Sequence, residues 1–312
     1  MTSTTIRQRL VYNLEFPGYC DSFSIDGYVF RRAPDYQAQF RLLHHVIRFF
    51  HEFQVETTLG THACTCIVEL PAKQKKPVIA WINDQEKPTA LDDILLLLSL
   101  FTGRDVFSAP KLIGGDGSFT NMDPRAYYYD LRTDIPYEDD ESKPPPRTDI
   151  GFEKGMNEVY ALMRTAAWQQ QYANGRFLPL FRTACRRNIF ETSFITCWTI
   201  WEHLFALHNQ KWMSKEEIRR FPVAEKISYV TVQYRIKDAL KGKDREGIKR
   251  FATIRHTLVH AGRFPDRAAI KDADLFIRVT CMIVAKILGR SSPDVLSAQY
   301  RFNERLAGRR IQ

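Results

Sequence analysis

The hydrophobic and polar positions of the first 150 residues follow two different periods, which predicts a mixture of strands and helices. Strict alternation over residues 22–30 predicts one strand, and β-branched residues predict two more over 62–70 and 77–82. Apolar residues at helical spacing predict helices over 35–53 and 89–101. This half of the chain is therefore predicted to be α+β.

After residue 150 the strand signals fade and helical spacing dominates the apolar pattern. Helices are expected over residues 152–173, 178–209, 222–240, 243–260, 266–288 and 293–306, with a short one opened by the capping-box pattern at Ser214. The predicted fold class is α+β overall, with an N-terminal mixed α+β domain followed by an all-α antiparallel helical bundle.

Residues 134–150 separate the two patterns and are predicted to form an acidic, proline-rich linker. Clustered acids followed by three consecutive prolines neither continue a helix nor build a core. The chain has 312 residues, more than one domain usually holds. We expect an α+β sensor or regulatory domain over 1–133, the linker over 134–150, and the helical domain over 151–312.

Charge is unevenly divided between these parts. Residues 1–150 carry 16 Lys and Arg against 21 Asp and Glu, and residues 151–312 carry 29 against 15. The resulting net charges of −5 and +14 indicate that the second half meets a polyanion such as nucleic acid. The alternative is a basic helical surface that only faces solvent.

The remaining composition indicates a cytoplasmic protein without a membrane anchor or cofactor. The six cysteines show no CxxC pair, and the N-terminal residues lack the apolar run of a signal peptide. The longest apolar run, over 94–101, is too short to span a bilayer. No motif for a cofactor or a dedicated metal site is predicted.

One Arg-x4-His pair, Arg255 and His260, lies near the end of the helix predicted over 243–260. The core face of this helix is predicted from the apolar stripe formed by Ile248, Phe251, Ile254 and Leu258. Five positions along a helix separate two side chains by roughly 140° in projection. We therefore expect the two residues to complete one site through fraying of the helix end or through a second copy of the helix.

The chemistry of this pair suits cleavage of RNA. A histidine titrates near neutral pH and can remove the proton of a 2′-hydroxyl, which then attacks the adjacent phosphorus. An arginine stays charged and its planar fork matches phosphate oxygens, so Arg255 is predicted to stabilise charge in the transition state. This mechanism requires no metal and spares DNA.

Basic residues upstream of the pair are predicted to hold neighbouring phosphates of the RNA. They are Lys241, Lys243, Arg245, Lys249 and Arg250. A solvated helix face is the alternative interpretation for each of them.

Two other constellations leave open functions of different classes. His256 and His260 share one helical face and are a candidate zinc pair, which would make the protein a metal-dependent hydrolase. Glu202, next to Trp201 in an apolar helix, needs a partner if it is buried, and Arg255 is the candidate. That pairing is either structural or supports the site.

A non-catalytic helical adaptor that binds RNA, nucleotide or protein is a further alternative.

The order of these motifs resembles that of the HEPN-domain ribonucleases. The family signature is similar to the order found here, which is Arg255, the polar His256, and then His260 followed by a small residue and glycine. The apolar stretch over residues 198–205, with Glu202 embedded in it, resembles the helix that precedes the signature. The similarity is closest to the Apea-like branch of prokaryotic defence proteins and covers roughly residues 155–290.

The resemblance implies a dimeric all-α bundle with metal-independent endoribonuclease activity. It implies that Arg255 and His260 are catalytic and that Glu202 and His256 support them. Family members often act as toxins or antiviral effectors that cut cellular RNA. An antitoxin or trigger molecule acting at the N-terminal domain is the regulatory partner that this resemblance suggests.

Overall fold

A computed structural model of the chain describes residues 8–14, 16, 20–39, 64–81, 88–102, 106–109, 149–185, 190–236 and 245–290. The first part contains strands β1 (Gln8–Tyr12), β2 (Ser22–Ile25), β3 (Tyr28–Arg32), β4 (Cys64–Glu69) and β5 (Phe107–Ala109), with helix α1 (Ala90–Thr102) before β5. The second part contains helices α2 (Asp149–Met163), α3 (Ala166–Gln171), α4 (Phe177–Cys185), α5 (Phe190–Asn209), α6 (Lys215–Arg220), α7 (Val223–Gln233), α8 (Arg245–Ala261) and α9 (Arg267–Ile287).

The five strands form one antiparallel sheet in the order β2-β3-β4-β1-β5. The single strand predicted over residues 22–30 is wrong, because it is a hairpin whose two strands turn at Asp26 and Gly27. Both turn residues have positive φ, 50° and 86°, which is the backbone of a tight hairpin turn. The alternating pattern carries through such a turn, so periodicity alone did not reveal it.

The other strand predictions have mixed outcomes. β4 confirms the strand predicted over 62–70 from residue 64 onward. The strand predicted over 77–82 is wrong, because the described residues 77–81 contain no strand and bend at Val78 and Ile79. The backbone N–H groups of Val78 and Ile79 donate to the side chain of Asp93 instead of to a neighbouring strand. Strands β1 and β5 were not predicted.

Helix α1 confirms the helix predicted over 89–101 and forms the core of the first compact unit. Its first turn contains acidic residues, which interact favourably with the positive end of the helix dipole, and Thr89 donates hydrogen bonds to Asp92. Leu91, Ile94 and Leu97 are fully buried. Asp93 on the same helix is also fully buried, and burial raises the pKa of its carboxyl to about 6.

Helix α2 belongs to the same compact unit as the sheet, which comprises residues 1–127 and 135–164. The carboxylate of Glu153 accepts hydrogen bonds from the backbone N–H and the hydroxyl of Ser24. Asn157 accepts from the N–H of Asp26 and donates to the carbonyl of Ser24. These bonds fix the helix against the β2–β3 hairpin.

The single helix predicted over 152–173 is wrong, since the structure divides it into α2 and α3. Thr165 has extended backbone and its hydroxyl accepts the N–H of Trp168, so it starts a new helix. A short 3₁₀ turn over Ala173–Gly175 follows. At Gly175, with φ of 65°, an added Cβ would lie 2.7 Å from the ring of Trp168, so only glycine fits this turn.

The second compact unit comprises residues 128–134 and 165–312, and its described part is a helical bundle. The rings of Phe194, Trp198, Trp201 and Phe251 all pack on Phe276 of α9. The buried indole N–H of Trp201 donates to the hydroxyl of Thr280. This aromatic cluster joins α5, α8 and α9 into one core.

Several helix boundaries of the bundle agree with the sequence pattern. The capping box of α6 at Ser214 and Glu217 is present, and α9 begins after its N-cap Asp266. Helix α7 ends earlier than predicted, because Arg235 adopts a left-handed φ of 52°. Residues 40–53, 134–148, 186–189 and 291–312, and the predictions that fall on them, lie outside the described residues.

The protein is therefore a mixed α and β chain with one small antiparallel sheet and a larger helical part, as predicted for the fold class. None of the helices in the described ranges is long and apolar enough to cross a lipid bilayer.

Candidate functional site

Helix α8 carries the Arg-x4-His pair on a regular helix of 17 residues. Phe251, Ile254 and Leu258 are buried, as predicted for the core face, whereas Ile248 at the start of the same stripe is only partly buried. The helix stays regular through Ala261 and ends at Gly262, whose φ of 65° permits the left-handed turn that closes it. Helical geometry therefore applies to both candidate catalytic residues.

Arg255 and His260 are both exposed to solvent. Within the described part of the chain, neither side chain forms a hydrogen bond or an ion pair with another residue. Their separation of roughly 140° in projection places Arg255 at the border of the core face and His260 on the outer face. A single copy of α8 does not bring the two groups together at one point.

Val259 lies between these two side chains around the helix and is 52% exposed, which is unusual for a valine. It stands four residues after Arg255 and next to His260, so the exposed face of α8 combines an apolar centre with a cation and an imidazole. Sequence periodicity marks Val259 as outside the core stripe but does not reveal what covers it.

The rings of His256 and His260 contact each other, with centroids 4.3 Å apart and an interplanar angle of 53°. Spacing of four residues on one helix explains the contact. Over the ranges that the structure describes, no group of three or more His, Cys, Asp or Glu side chains is placed to hold a metal ion. The two histidines therefore have no third protein ligand there.

Arg250 joins α8 to α9 through two carboxylates. Its Nε donates to Asp272 at 2.6 Å and its Nη2 to Asp266 at 2.7 Å. The bond to Asp272 is the main reason why the pKa of the Arg250 guanidinium is raised. Asp266 also caps α9 by accepting the N–H of Ala269, which is the main reason why its own pKa is lowered. Arg250 thus fixes the hairpin that carries the candidate pair.

The other predicted phosphate-binding residues are only partly described. Lys249 is exposed on α8, and Arg245 begins the helix, but its side chain lies outside the described residues. Lys241 and Lys243 also lie outside them. Charge on the described surface of α8 is therefore carried by Lys249, Arg255 and the partly exposed Arg250.

Glu202 is exposed on α5 and does not pair with Arg255. It lies beside a small apolar cavity that Trp198, Trp201 and Lys226 also line. Glu202 is therefore not a buried carboxylate, because α5 turns Trp201 inward and Glu202 outward. The neighbouring His203 is partly buried, and the loss of hydration lowers its pKa.

Taken together, α8 presents a permanent cation, two imidazoles in contact and an exposed valine on one solvent-facing surface. Such groups can bind a phosphate and can donate or accept a proton. Comparisons with protein-family models, with curated proteins and with solved structures each found no match to this chain. The function is therefore argued from these residues.

Proposed function

We propose that the protein is a metal-independent endoribonuclease whose active site contains Arg255 and His260. The observation that carries this proposal is that both side chains are exposed, with no polar partner among the described residues, on a helix whose other face is fully packed. An exposed imidazole can accept a proton from a substrate, and an exposed guanidinium can hold its phosphate. The likeness of the motif to HEPN ribonucleases supports the same chemistry.

In the proposed reaction the imidazole of His260 removes the proton of a 2′-hydroxyl, and the 2′-oxygen attacks the adjacent phosphorus. The bond from phosphorus to the 5′-oxygen breaks, and the departing oxygen takes up a proton from imidazolium or water. The products are a 2′,3′-cyclic phosphate and a 5′-hydroxyl end. Arg255 stabilises the charge that develops on the phosphoryl oxygens.

The active unit of this proposal is a homodimer. One helix holds Arg255 and His260 roughly 140° apart, so a second α8 facing the first supplies the missing half of each site. The exposed Val259 between them gives that contact an apolar centre. His256 supports the site by its ring contact with His260. Glu202 has no demonstrated contact with the pair, and its supporting role is proposed from the motif alone.

The proposed biological role is that of a cytoplasmic defence or toxin effector. Cutting cellular RNA arrests growth, so such an enzyme must be restrained until a signal appears. We assign this restraint to the first compact unit, through an antitoxin or a trigger molecule that it recognises. This role follows from the likeness to HEPN defence proteins.

The decisive experiment is RNA cleavage by purified wild type, Arg255→Ala and His260→Ala, each with and without EDTA. We expect chelator-resistant cleavage by the wild type and at least a hundredfold loss in each variant, in line with the loss of a general base or a charge stabiliser. The same RNA carrying 2′-O-methyl groups should bind without being cut. Product ends are read by mass spectrometry for the cyclic phosphate.

Arg263→Ala is the matched control, because Arg263 is an exposed arginine just after α8 and outside the proposed site. It should cut RNA like the wild type. Binding without cleavage in every sample would replace the proposal with the adaptor function. Cleavage that EDTA abolishes would replace it with a hydrolase that uses a metal at His256 and His260.

A further inference from the structure

Trp212 is a large apolar side chain held in solvent. It is 68% exposed, whereas the other described bundle tryptophans, Trp168, Trp198 and Trp201, are at most 5% exposed. A single exposed apolar residue is common on protein surfaces, but an indole offers a large flat apolar face that is well suited to stack on a ligand. The sequence places Trp212 between Lys211 and Met213, and it does not show that the ring faces outward.

The backbone at Trp212 is fixed, although its ring is exposed. Its N–H donates to the carbonyl of Asn209, where α5 ends, and so does the N–H of Met213. Ser214 and Glu217 then form the reciprocal capping box of α6. The indole is therefore presented from a defined turn between two helices, which favours the binding of a flat ligand face.

The surroundings of Trp212 carry cations without carboxylate partners. Lys211 and Lys215 are one and three residues from Trp212 in the sequence, and Arg235 follows α7, whose end meets the end of α5 at His208 and Tyr234. All three cations are exposed, and in the described ranges none of them forms an ion pair. Arg219 and Arg220 of α6, by contrast, both bond to Glu216. An exposed aromatic ring among free cations complements a polyanion with planar bases.

Trp212 lies at the end of the bundle opposite His260. The Nε2 of His208, near the end of α5, is 2.9 Å from the hydroxyl of Tyr234, and Lys286 near the end of α9 donates to the carbonyls of Tyr234 and Arg235. The ends of α5, α7 and α9 thus meet here. Helix α9 starts beside the end of α8 and its 21 residues span roughly 30 Å.

We propose that Trp212 is a stacking site for an unpaired base of single-stranded RNA, with Lys211, Lys215 and Arg235 around the adjacent phosphates. This inference rests on the proposed function for its choice of RNA. A base in a duplex already stacks on its neighbours and does not expose a face to the indole, so the ligand is a single strand. Because the surface is distant from His260, it anchors substrate and takes no part in the chemistry.

The first test uses the fluorescence of Trp212 in the full-length His260→Ala protein, which keeps RNA intact. A single-stranded oligouridylate of about 20 nucleotides should quench the emission, whereas a blunt RNA duplex should not. In the Trp212→Ala background the affinity for the oligouridylate, measured by the anisotropy of a dye on the RNA, should fall roughly tenfold or more. Trp212→Phe should keep most of the affinity while losing the fluorescence change, because its ring still stacks.

The second test separates anchoring from chemistry in enzyme with the native site. Trp212→Ala should raise KM for the long single strand and leave kcat unchanged, and it should cut a dinucleotide like the wild type. Ile270→Ala shortens another exposed apolar residue, in the first turn of α9 and at the other end of this helix from Trp212. It should change neither KM nor kcat.

Unquenched fluorescence, or unchanged affinity in Trp212→Ala, would overturn the anchor. A change from dimer to monomer in Trp212→Ala would also overturn it, because a second copy would then cover the indole. Failure of the proposed function would give a different result, namely no RNA cleavage by the wild type. The binding of RNA at Trp212 would still be measurable in that case.

Discussion

At the scale of single residues, Asp93 shows how burial and hydrogen bonding compete for one carboxylate. Its oxygens accept from the N–H groups of Val78 and Ile79 and from the indole N–H of Trp81. These bonds favour the charged form, but loss of hydration outweighs them, and the pKa of Asp93 rises to about 6. The folded protein therefore binds this proton more tightly than the unfolded chain does.

The sign of the pH effect follows from that difference. Stability contributed by Asp93 is fully present below its ordinary pKa of 3.8 and is lost as the pH rises through about 6. Ionisation in the folded state opposes folding by roughly 3 kcal/mol over this range. The free energy of unfolding of the wild type should thus fall relative to that of Asp93→Asn, which does not titrate.

Urea denaturation of both proteins at pH 4, 5, 6 and 7 measures this prediction. With increasing pH, the free energy of unfolding of the wild type should fall relative to that of Asp93→Asn. Most of this change should come between pH 4 and 6. A difference that is flat, or that moves in favour of the wild type, contradicts it. Carboxyl NMR of Asp93 gives the pKa directly.

Single residues also mark the limit of what the sequence can predict about the site. Periodicity correctly places Phe251, Ile254 and Leu258 in the core, because a helix face must be apolar to be buried. It gives no distance between side chains on different helices. The expected pairing of Glu202 with Arg255 required such a distance, and in the structure Glu202 faces solvent.

At the scale of elements, the hairpin of α8 and α9 depends on Arg250. Replacing Arg250 with methionine keeps most of the side chain but leaves Asp272, which is 9% exposed, without this charged donor. Loss of a donor to a buried acid destabilises a protein by about 1–3 kcal/mol, and partial exposure of Arg250 places the effect in the lower part of that range. We expect a lower melting temperature and weaker RNA cleavage.

Arg220→Met is the matched control, since the exposed Arg220 bonds to Glu216 on a helix that has no buried residue. Exposed pairs contribute little, so its melting temperature should stay close to that of the wild type. If Arg250→Met is as stable as this control but still loses cleavage, then Arg250 contacts RNA directly, as its place in the basic run first suggested.

Element boundaries were predictable where a local signal sets them. The capping box at Ser214 appears as expected, and the helix predicted from residue 266 begins directly after its N-cap Asp266. Both boundaries depend only on neighbouring residues. Boundaries set by distant contacts were missed. Residues 77–81 have strand-like composition, but the buried Asp93 takes up their N–H groups, and β1 and β5 pair with strands far away in the sequence.

At the scale of the whole molecule, the proposed active unit is a pair of chains, and complementation tests it. In a mixed dimer of Arg255→Ala and His260→Ala, one of the two composite sites has an intact arginine and an intact histidine. Equal mixing with subunit exchange should therefore restore roughly a quarter of wild-type cleavage from two inactive proteins. Mixtures that stay inactive while exchange is shown by native mass spectrometry contradict a shared site.

The whole-molecule pattern was partly predictable from the sequence. The change from mixed periods to helical spacing correctly predicted a mixed α and β chain, because period reflects which faces are buried. The packing of α2 against Ser24 and Asp26 could not be predicted from the hydrophobic period, because its hydrogen bonds link residues about 130 positions apart.

The length of α9 has a consequence for the products of the proposed enzyme. Trp212 and His260 lie near opposite ends of this helix, roughly 30 Å apart. The bundle therefore fixes the distance along a bound strand between the anchored base and the cut. Cuts should fall at a constant spacing from the anchored base, so a strand that is abasic except at one position should give fragments of narrow length distribution. Untethering the strand at Trp212 should broaden that distribution toward random scission.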